Sequence, residues 1–291
     1  MKIGILGPAE RFTGYTTKKL LEEGKKQMKN VEIIPVSDIV LGVNDGMEAK
    51  WGRKNLEDFD YILPRIDSKR AGIAYPVFRF LDGTDVKKPY KARTILTAHN
   101  KFLTLMELSR RKIPVPETQI TGSKEKAFKL IDKQKLPIIM KLLSSFGGEG
   151  VMIMESKEAA KATIHTMKTL RQEILIEEFL PNAGEDIRGI VAGEEVIASF
   201  KRVSAKGEKK ANIHLGGRGV DFKLTQEMEE IVLSSAKAVG ARICAIDIVE
   251  SEGTPYVIEA NINPGIKGIE KATNINVAQR IINYVKSEAK R

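Results

Sequence analysis

The chain has 291 residues, 42% hydrophobic and 30% charged, so it is long enough for two or three compact units with cores of their own. No run approaches the roughly 20 apolar residues that cross a bilayer, and the N-terminal run is too short for a secretion signal. A cytoplasmic protein with no membrane partner is therefore expected. The net charge of +10 favours an anionic partner, but the basic residues are scattered and not interleaved with aromatic ones, which argues against nucleic acid as a partner.

The N-terminal part alternates short apolar runs with a helical segment. Strands are predicted at Lys2 to Leu6, Val31 to Val36 and Tyr61 to Arg65, with a helix at Thr16 to Met28. This β-α-β order predicts a small parallel sheet of the Rossmann-like kind. We place this N-terminal α/β domain at residues 1–95.

The rest of the chain changes to a pattern of antiparallel strands and helices. A helix at Lys101 to Arg111 ends before the connector Ile113-Pro114-Val115-Pro116, because residues that precede proline disfavour helical backbone. The strand pattern continues to Asn261 and predicts an α+β unit. We divide it into a small lobe, residues 96–175, and a large lobe, residues 176–291.

A pair of strands with facing carboxylates is predicted near the C-terminus. If the turn is centred on Gly253, Val249 lies opposite Val257 and Asp247 lies opposite Glu259. Asn261 projects to the same face as Glu259, because side chains alternate along a strand. Facing like charges destabilise a sheet unless a cation neutralises them, and three oxygen donors suit Mg²⁺ or Mn²⁺. An exposed hairpin with hydrated acidic residues is the alternative.

A lysine within an apolar strand directly precedes a glycine-rich loop. Lys141 lies inside the apolar run from Pro137 to Leu143, and Gly147, Gly148 and Gly150 follow that run. A buried ammonium needs an anion, and glycines let backbone N–H groups approach phosphate oxygens closely. The sequence matches neither the Walker A pattern nor the dinucleotide fingerprint. A phosphate-binding loop is one interpretation, and an ordinary glycine-rich hairpin turn is the other.

Together these motifs, in this order and spacing, resemble the ATP-grasp superfamily, and within it the RimK-like amino-acid ligases, across nearly the whole chain. The segments that carry the resemblance are Tyr61 to Ile66, Lys141 with its glycine loop, Ile176 to Leu180, Asp186 to Arg188, Asn212 to Gly217, Asp247, Glu259 to Gly265 and Gly268 to Thr273. The resemblance implies a pre-ATP-grasp domain of the Rossmann-like type followed by a two-lobed ATP-grasp domain.

The resemblance also implies which residues bind ATP. Lys101 and Lys141 would hold the phosphates, together with the loop that contains Gly147 and Gly148. The adenine edge would be read by the backbone of a hinge segment, and the ribose would lie beside an acidic residue. These residues are Glu178, Phe179 and Leu180 for the hinge and Asp186 for the ribose.

The remaining implied roles concern the reacting groups and the metal. Arg202 would stabilise charge on an acyl phosphate or on the tetrahedral intermediate, and Arg188 would place a charge near the reacting centre. Asn212, with Lys210 beside it, would lie in a loop that closes near the γ-phosphate. The residues Asp247, Glu259 and Asn261 match the ligands of the Mg²⁺ or Mn²⁺, with two ions expected.

Two positions depart from the pattern of the family. Asn100 precedes Lys101 where aspartate is frequent, and Lys209 to Asn212 stands where relatives often have Arg-Ser-Asn. The second departure leaves the nucleotide contact at Lys210 open.

The resemblance implies an ATP-dependent carboxylate-amine ligase. The net positive charge suits an acidic small molecule or a glutamylated coenzyme as acceptor, with L-glutamate as the incoming amine, and a homo-oligomer, dimer or tetramer, is expected. Glutamylation of a ribosomal protein C-terminus and modification of an amino-group carrier protein are alternatives. Other ATP-grasp chemistry and a non-enzymatic nucleotide-binding or nucleic-acid-binding protein also remain open.

Overall fold

The computed structural model of this chain describes residues 1–43, 46–143, 150–181, 184–204 and 217–290. The elements of the N-terminal part are β1 (Lys2–Gly7), α1 (Tyr15–Gln27), β2 (Asn30–Pro35), β3 (Ile39–Val43), β4 (Met47–Trp51), β5 (Lys54–Asn55), β6 (Tyr61–Pro64), α2 (Ala71–Leu81) and α3 (Ala92–Ala98). A second series follows: α4 (Lys101–Ser109), β7 (Thr118–Thr121), α5 (Lys124–Lys133), β8 (Ile138–Lys141), β9 (Val151–Met154), α6 (Lys157–Thr169) and β10 (Ile174–Glu178). The last series is β11 (Glu185–Ala192), β12 (Glu195–Val203), β13 (Arg218–Asp221), α7 (Gln226–Val239), β14 (Ile243–Ser251), β15 (Thr254–Asn261), α8 (Lys267–Thr273) and α9 (Val277–Glu288).

The N-terminal part is built on a three-stranded parallel sheet with the order β2-β1-β6. After β1 the chain passes through α1 to β2, which pairs with one edge of β1. It later returns to β6, which pairs with the other edge of β1. Residues of β1 are buried on both faces: Leu6 belongs to an apolar cluster with Phe78 of α2, and Ile3 and Ile5 belong to a cluster with Leu20 of α1. The predicted α/β, Rossmann-like class is confirmed. The small antiparallel sheet β3-β4-β5 was not predicted.

Two antiparallel sheets form the rest of the molecule. The smaller has the order β7-β10-β8-β9, and helices α5 and α6 pack against it around a separate apolar core that contains Ile131, Met140 and Ile164. Because β10 pairs with β7 and β8, this sheet extends past residue 175, where we predicted the boundary between the lobes. The three-part division of the chain stays a prediction.

The larger sheet has the order β13-β12-β11-β14-β15 and lies between helices. Ile246 and Ile248 belong to the apolar cluster with Val232 of α7, whereas Ala245 belongs to the cluster with Ile281 of α9. Both clusters also include residues of the N-terminal sheet, so these two sheets share their cores. This burial on both faces explains why β14 is apolar from Ile243 to Val249 at every position except Asp247.

The β14–β15 hairpin differs in one respect from its predicted register. Its turn consists of Glu252 (φ 50°) and Gly253 (φ 78°), the two positive φ values of a type I′ turn, so Val249 lies opposite Tyr256. The predicted pairing of Val249 with Val257 is therefore wrong. A register shift beyond Ile248 inserts one extra residue in β15, and this bulge brings Asp247 opposite Glu259 as predicted.

Candidate active site

The predicted site residues that the structure describes lie on the two antiparallel sheets, directly after β10 and at the start of α4, whereas others have no described position. Four of them, Gly147, Gly148, Lys210 and Asn212, lie outside the described residues. The others form two groups of charged side chains, one around Lys141 and one around Asp247.

Lys141 forms a buried ion pair with Glu177. Lys141 is the last residue of β8 and is 7% exposed, and Glu177 of β10 is 2% exposed. The Lys141 Nζ donates to Glu177 Oε1 at 2.5 Å, and the Thr118 hydroxyl donates to Glu177 Oε2 at 3.4 Å. The anion that a buried lysine requires is therefore supplied by the protein itself. Sequence reasoning missed Glu177, although an acidic residue inside the apolar strand Ile174–Glu178 was the available signal.

Lys101 links the two groups. It begins α4, whose first turn is capped by the Asn100 side chain, which accepts from Leu103 N at 3.1 Å. Burial lowers the pKa of Lys101, the Glu259 carboxylate opposes this change, and the Lys141 ammonium adds to it. Lys101 therefore lies within electrostatic range of both sheets.

The segment predicted to contact adenine follows β10 and is tied to the proline-containing connector. The Glu178 carboxylate accepts from Glu117 N at 2.7 Å, and Glu178 N donates to Glu117 O at 3.0 Å. Phe179 and Leu180 are half-buried. One backbone-to-backbone bond and one bond to a side chain thus fix the path of the chain where a hinge segment was predicted.

Two arginines and two aspartates form a buried cluster on the larger sheet. Register places Asp186 of β11 opposite Arg202 of β12, and Arg188 of β11 opposite Asp247 of β14. Arg188 binds Asp247 through two parallel bonds of 2.6 Å, and Arg202 Nη2 donates to Asp247 Oδ2 at 2.9 Å. Arg202 Nε also donates to Asp186. The cluster carries no net charge, which makes its burial tolerable.

The pKa values of the two carboxyl groups in this cluster are shifted in opposite directions. Burial raises the pKa of Asp186 above its usual value, and Arg202 only partly offsets this. Burial also acts to raise the pKa of Asp247, but Arg188 and Arg202 outweigh it and hold that pKa below its usual value. Asp247 therefore stays ionised at neutral pH.

The donor set around Asp247 fits a hard divalent cation. Glu259 faces Asp247 across the hairpin, and Asn261, two residues further on, accepts from Asn263 N at 2.8 Å. Carboxylate and amide oxygens are the ligands that Mg²⁺ and Mn²⁺ prefer. No group of three or more His, Cys, Asp and Glu residues in the described ranges is arranged to hold a metal, so a site here needs Asn261 as third donor. Arginines donate hydrogen bonds to both carboxylate oxygens of Asp247. A metal would have to compete with these arginines for the oxygens.

Comparison with known proteins gives concordant results for the whole chain. Residues 98–285 match the RimK-like ATP-grasp domain, and residues 1–95 match the RimK PreATP-grasp domain. A protein of Legionella pneumophila (strain Corby) named probable alpha-L-glutamate ligase is 34% identical, with 100% of this chain and 97% of that protein covered.

Solved structures share the fold. A RimK domain protein ATP-grasp from Sphaerobacter thermophilus has a TM-score of 0.75 at 20% identity, covering 98% of this chain and 99% of its own. The ATP-grasp ligase PsnB, complexed with a phosphomimetic variant of its minimal precursor, Mg and ADP, has a TM-score of 0.77 at 15% identity, covering 99% and 98%. In the described part of this chain, no helix has the length and apolar character needed to cross a membrane.

Proposed function

Because the chain belongs to the RimK-like ATP-grasp family and is an ATP-dependent ligase, we propose that it joins L-glutamate to the carboxylate of an acidic, peptide-like acceptor. ATP would convert the acceptor carboxylate into an acyl phosphate, the glutamate amine would attack it, and ADP and phosphate would leave. The observation that carries this proposal is the position of the buried Asp247 cluster opposite Glu259, with Lys101 within electrostatic range of that carboxylate.

Residues on the smaller sheet and α4 would bind the nucleotide. Lys141 and Lys101 would contact the phosphates, with the backbone of the loop at Gly147 and Gly148. The segment Glu178, Phe179 and Leu180 would bind the adenine edge, and Asp186 would lie near the ribose. Since Lys141 is paired with Glu177, phosphate binding would exchange one anionic partner of the ammonium for another or share the ammonium between them.

Residues on the larger sheet would act on the reacting groups. Asp247, Glu259 and Asn261 would hold Mg²⁺, which, when bound, neutralises phosphate charge and orients the γ-phosphoryl group. The Arg202 guanidinium would stabilise the oxyanion that develops when the amine attacks, because a planar fork suits two oxygens at once. Arg188 would place a second positive charge beside it, and Asn212 and Lys210 would close on the γ-phosphate.

The net charge of +10 supports an acidic acceptor. PsnB, which shares the fold, is described in complex with a precursor peptide, and the Legionella relative is named a glutamate ligase. We therefore favour a peptide carboxylate as the acceptor. The C-terminus of a ribosomal protein is one such carboxylate. A glutamylated coenzyme acceptor, which the sequence favoured, has no support among these relatives.

The test is a coupled assay of the purified protein with ATP, Mg²⁺ and radiolabelled L-glutamate. Acidic peptides and glutamylated coenzymes are supplied in separate reactions, and ADP and product mass are measured. We expect glutamate-dependent ADP formation and a mass increase on a peptide acceptor. Lys141→Met and Arg202→Met should abolish both, while Asp132→Asn, which changes an exposed side chain on α5, should not. No incorporation of glutamate with any acceptor would refute the proposal.

The same preparation tests two further expectations. Sedimentation velocity should show a dimer or tetramer. Replacing Mg²⁺ by Mn²⁺ should support turnover, because both ions accept the same oxygen donors.

A further inference from the structure

An arginine without a counterion, half-buried and with a fully buried Nε, lies at the carboxyl edge of the N-terminal sheet. Arg65 directly follows β6, and its N–H donates to Leu6 O of β1 at 2.6 Å. The residue is half-buried, and its Nε is fully buried with no hydrogen-bond partner. No carboxylate of the described residues pairs with this guanidinium. None of the roles assigned above uses it.

The position of Arg65 in the sheet is one where ligands bind. In the order β2-β1-β6, the strand that follows β1 lies on one side of it and the later strand β6 lies on the other side. A topological switch point therefore lies between β1 and β6. Open parallel sheets bind ligands at the carboxyl ends of the strands at this point. Gly7 ends β1 there, and a Cβ on it would lie 3.0 Å from Arg65 O and 3.1 Å from Arg65 Cβ. The glycine therefore allows the two strand ends to converge at the arginine.

The environment of Arg65 is unfavourable for a free cation. Burial lowers the pKa of Arg65 to about 10, and the nearby Tyr90 phenol, itself buried, offers the only opposing effect. A guanidinium presents a planar fork of donors whose natural partner is a carboxylate or phosphate. A charge that is kept in a buried position without a partner is expected to serve a ligand.

The same edge of the sheet faces the candidate active site. The first turn of α1, which follows β1, is bonded to the segment after β15: Ile266 N donates to the Thr16 hydroxyl at 3.1 Å, and the Tyr15 hydroxyl donates to Glu270 at 2.8 Å. This segment begins directly after the predicted metal ligand Asn261. Arg65 thus lies on the edge of the N-terminal sheet that is joined to the hairpin with the predicted metal ligands.

A second link runs through the end of α3. The Asp67 carboxylate, two residues after Arg65, acts on the His99 imidazole, whose Nδ1 is also buried without a hydrogen-bond partner. His99 is separated by one residue from Lys101, which lies within range of Glu259. The loop after β6 is therefore next to the segment that leads into the nucleotide-binding part.

We propose that Arg65 is the anchor of a carboxylate-binding subsite, at which a substrate carboxylate that does not react is held by the guanidinium. Its partner is a carboxylate of L-glutamate or a neighbouring carboxylate of the acidic acceptor. The identity of this ligand rests on the proposed function, whereas the subsite itself rests on the geometry of the N-terminal sheet.

The test compares Arg65→Met with Arg79→Met, a matched change at an exposed arginine on α2 of the same domain. Two probes are titrated calorimetrically into MgADP-loaded protein: L-glutamate and a tetraglutamate peptide. We expect Arg65→Met to weaken binding of one probe by roughly tenfold or more, since a charge-assisted bidentate contact is lost. Loss confined to glutamate assigns the subsite to the incoming amino acid, and loss confined to the peptide assigns it to the acceptor. Arg79→Met should bind both as the wild type does.

Stability separates a binding role from a structural one. Replacing an unpaired buried charge by methionine should leave the thermal midpoint of the ligand-free protein unchanged or higher, whereas loss of a structural arginine should lower it. Should Arg65→Met prove insoluble, Arg65→Lys, which keeps the charge but loses the fork, must fold and must still bind the probe more weakly. Unchanged binding of both probes, no binding of either to the wild type, or failure of both variants to fold would overturn the proposal. A wild type that binds a probe without glutamate-dependent turnover would refute the proposed function alone.

Discussion

The ion pair between Lys141 and Glu177 makes a sharp prediction about nucleotide binding. The change Glu177→Gln keeps the size of the side chain and removes its charge, which leaves the Lys141 ammonium buried without a counterion. Lys141 is 7% and Glu177 2% exposed, and their atoms are 2.5 Å apart. Breaking one partner of such a buried pair costs about 3–5 kcal/mol. Since a domain of this kind is stable by about 5–15 kcal/mol, the variant should still fold.

If Lys141 contacts phosphates, MgADP binding should restore part of the free energy of unfolding that the change Glu177→Gln removes. The nucleotide would offer an anion to an ammonium that has lost its own, so the variant should gain more stability from the ligand than the wild type does. Each 1.4 kcal/mol of the deficit that is recovered corresponds to about tenfold tighter nucleotide binding. Urea unfolding of both proteins, with and without saturating MgADP, measures the four free energies of unfolding.

A matched control comes from the exposed pair Lys161 and Asp132, which joins α6 to α5 on the same lobe at 3.3 Å. Asp132→Asn should cost no more than about 1 kcal/mol, because exposed ion pairs contribute little. Its small effect should not depend on MgADP. A deficit of Glu177→Gln that is the same with and without MgADP would refute the placement of Lys141 beside the phosphates.

Three further predictions concern the metal and a buried histidine. Glu259→Gln should leave the urea midpoint near that of the wild type but raise the Mg²⁺ concentration required for half-maximal ADP formation; an unchanged requirement would remove Glu259 from the metal site. Two Mg²⁺ ions should bind per nucleotide in equilibrium dialysis, and one ion would contradict this. Burial lowers the pKa of His99, with Asp67 opposing, so the folded protein disfavours the proton that the unfolded chain accepts below about pH 6.5. Stability should therefore fall as the pH drops below this value, and His99→Gln should remove that part of the loss, measured by urea unfolding.

The sequence predicted the facing carboxylates correctly through an incomplete argument. Symmetry about Gly253 placed Asp247 opposite Glu259, but the turn consists of Glu252 and Gly253, and only the additional residue in β15 restores that pairing. A bulge has no clear mark in local composition, because it depends on how the strand packs on both faces. The wrong pairing of Val249 with Val257 shows the same limit.

The sequence alone could not predict which charged side chains pair with each other across the sheets. An apolar strand that contains Lys141 indicates a need for an anion, but only the register of β8 and β10 identifies Glu177 as the residue that meets it. In the same way, Arg188 and Asp247 are 59 residues apart, and their pairing follows from the order of β11 and β14 in the sheet. Residue types along a strand set what each side chain requires, whereas the sheet order decides which side chain supplies it.

The charges of the candidate site explain why a metal should enter with the nucleotide. Among the described residues, the charged groups around Lys141 and Asp247 contain four cations, Lys101, Lys141, Arg188 and Arg202, and four carboxylates, Glu177, Asp186, Asp247 and Glu259, apart from Glu178 beside the connector. A triphosphate entering alone would add its negative charge to a buried, neutral set, which low-dielectric surroundings penalise strongly. Divalent cations held by Asp247 and Glu259 would cancel that charge and would compete with Arg188 for Asp247. Metal and nucleotide binding are therefore expected to be coupled, with Arg188 released towards the reacting groups only when both are present.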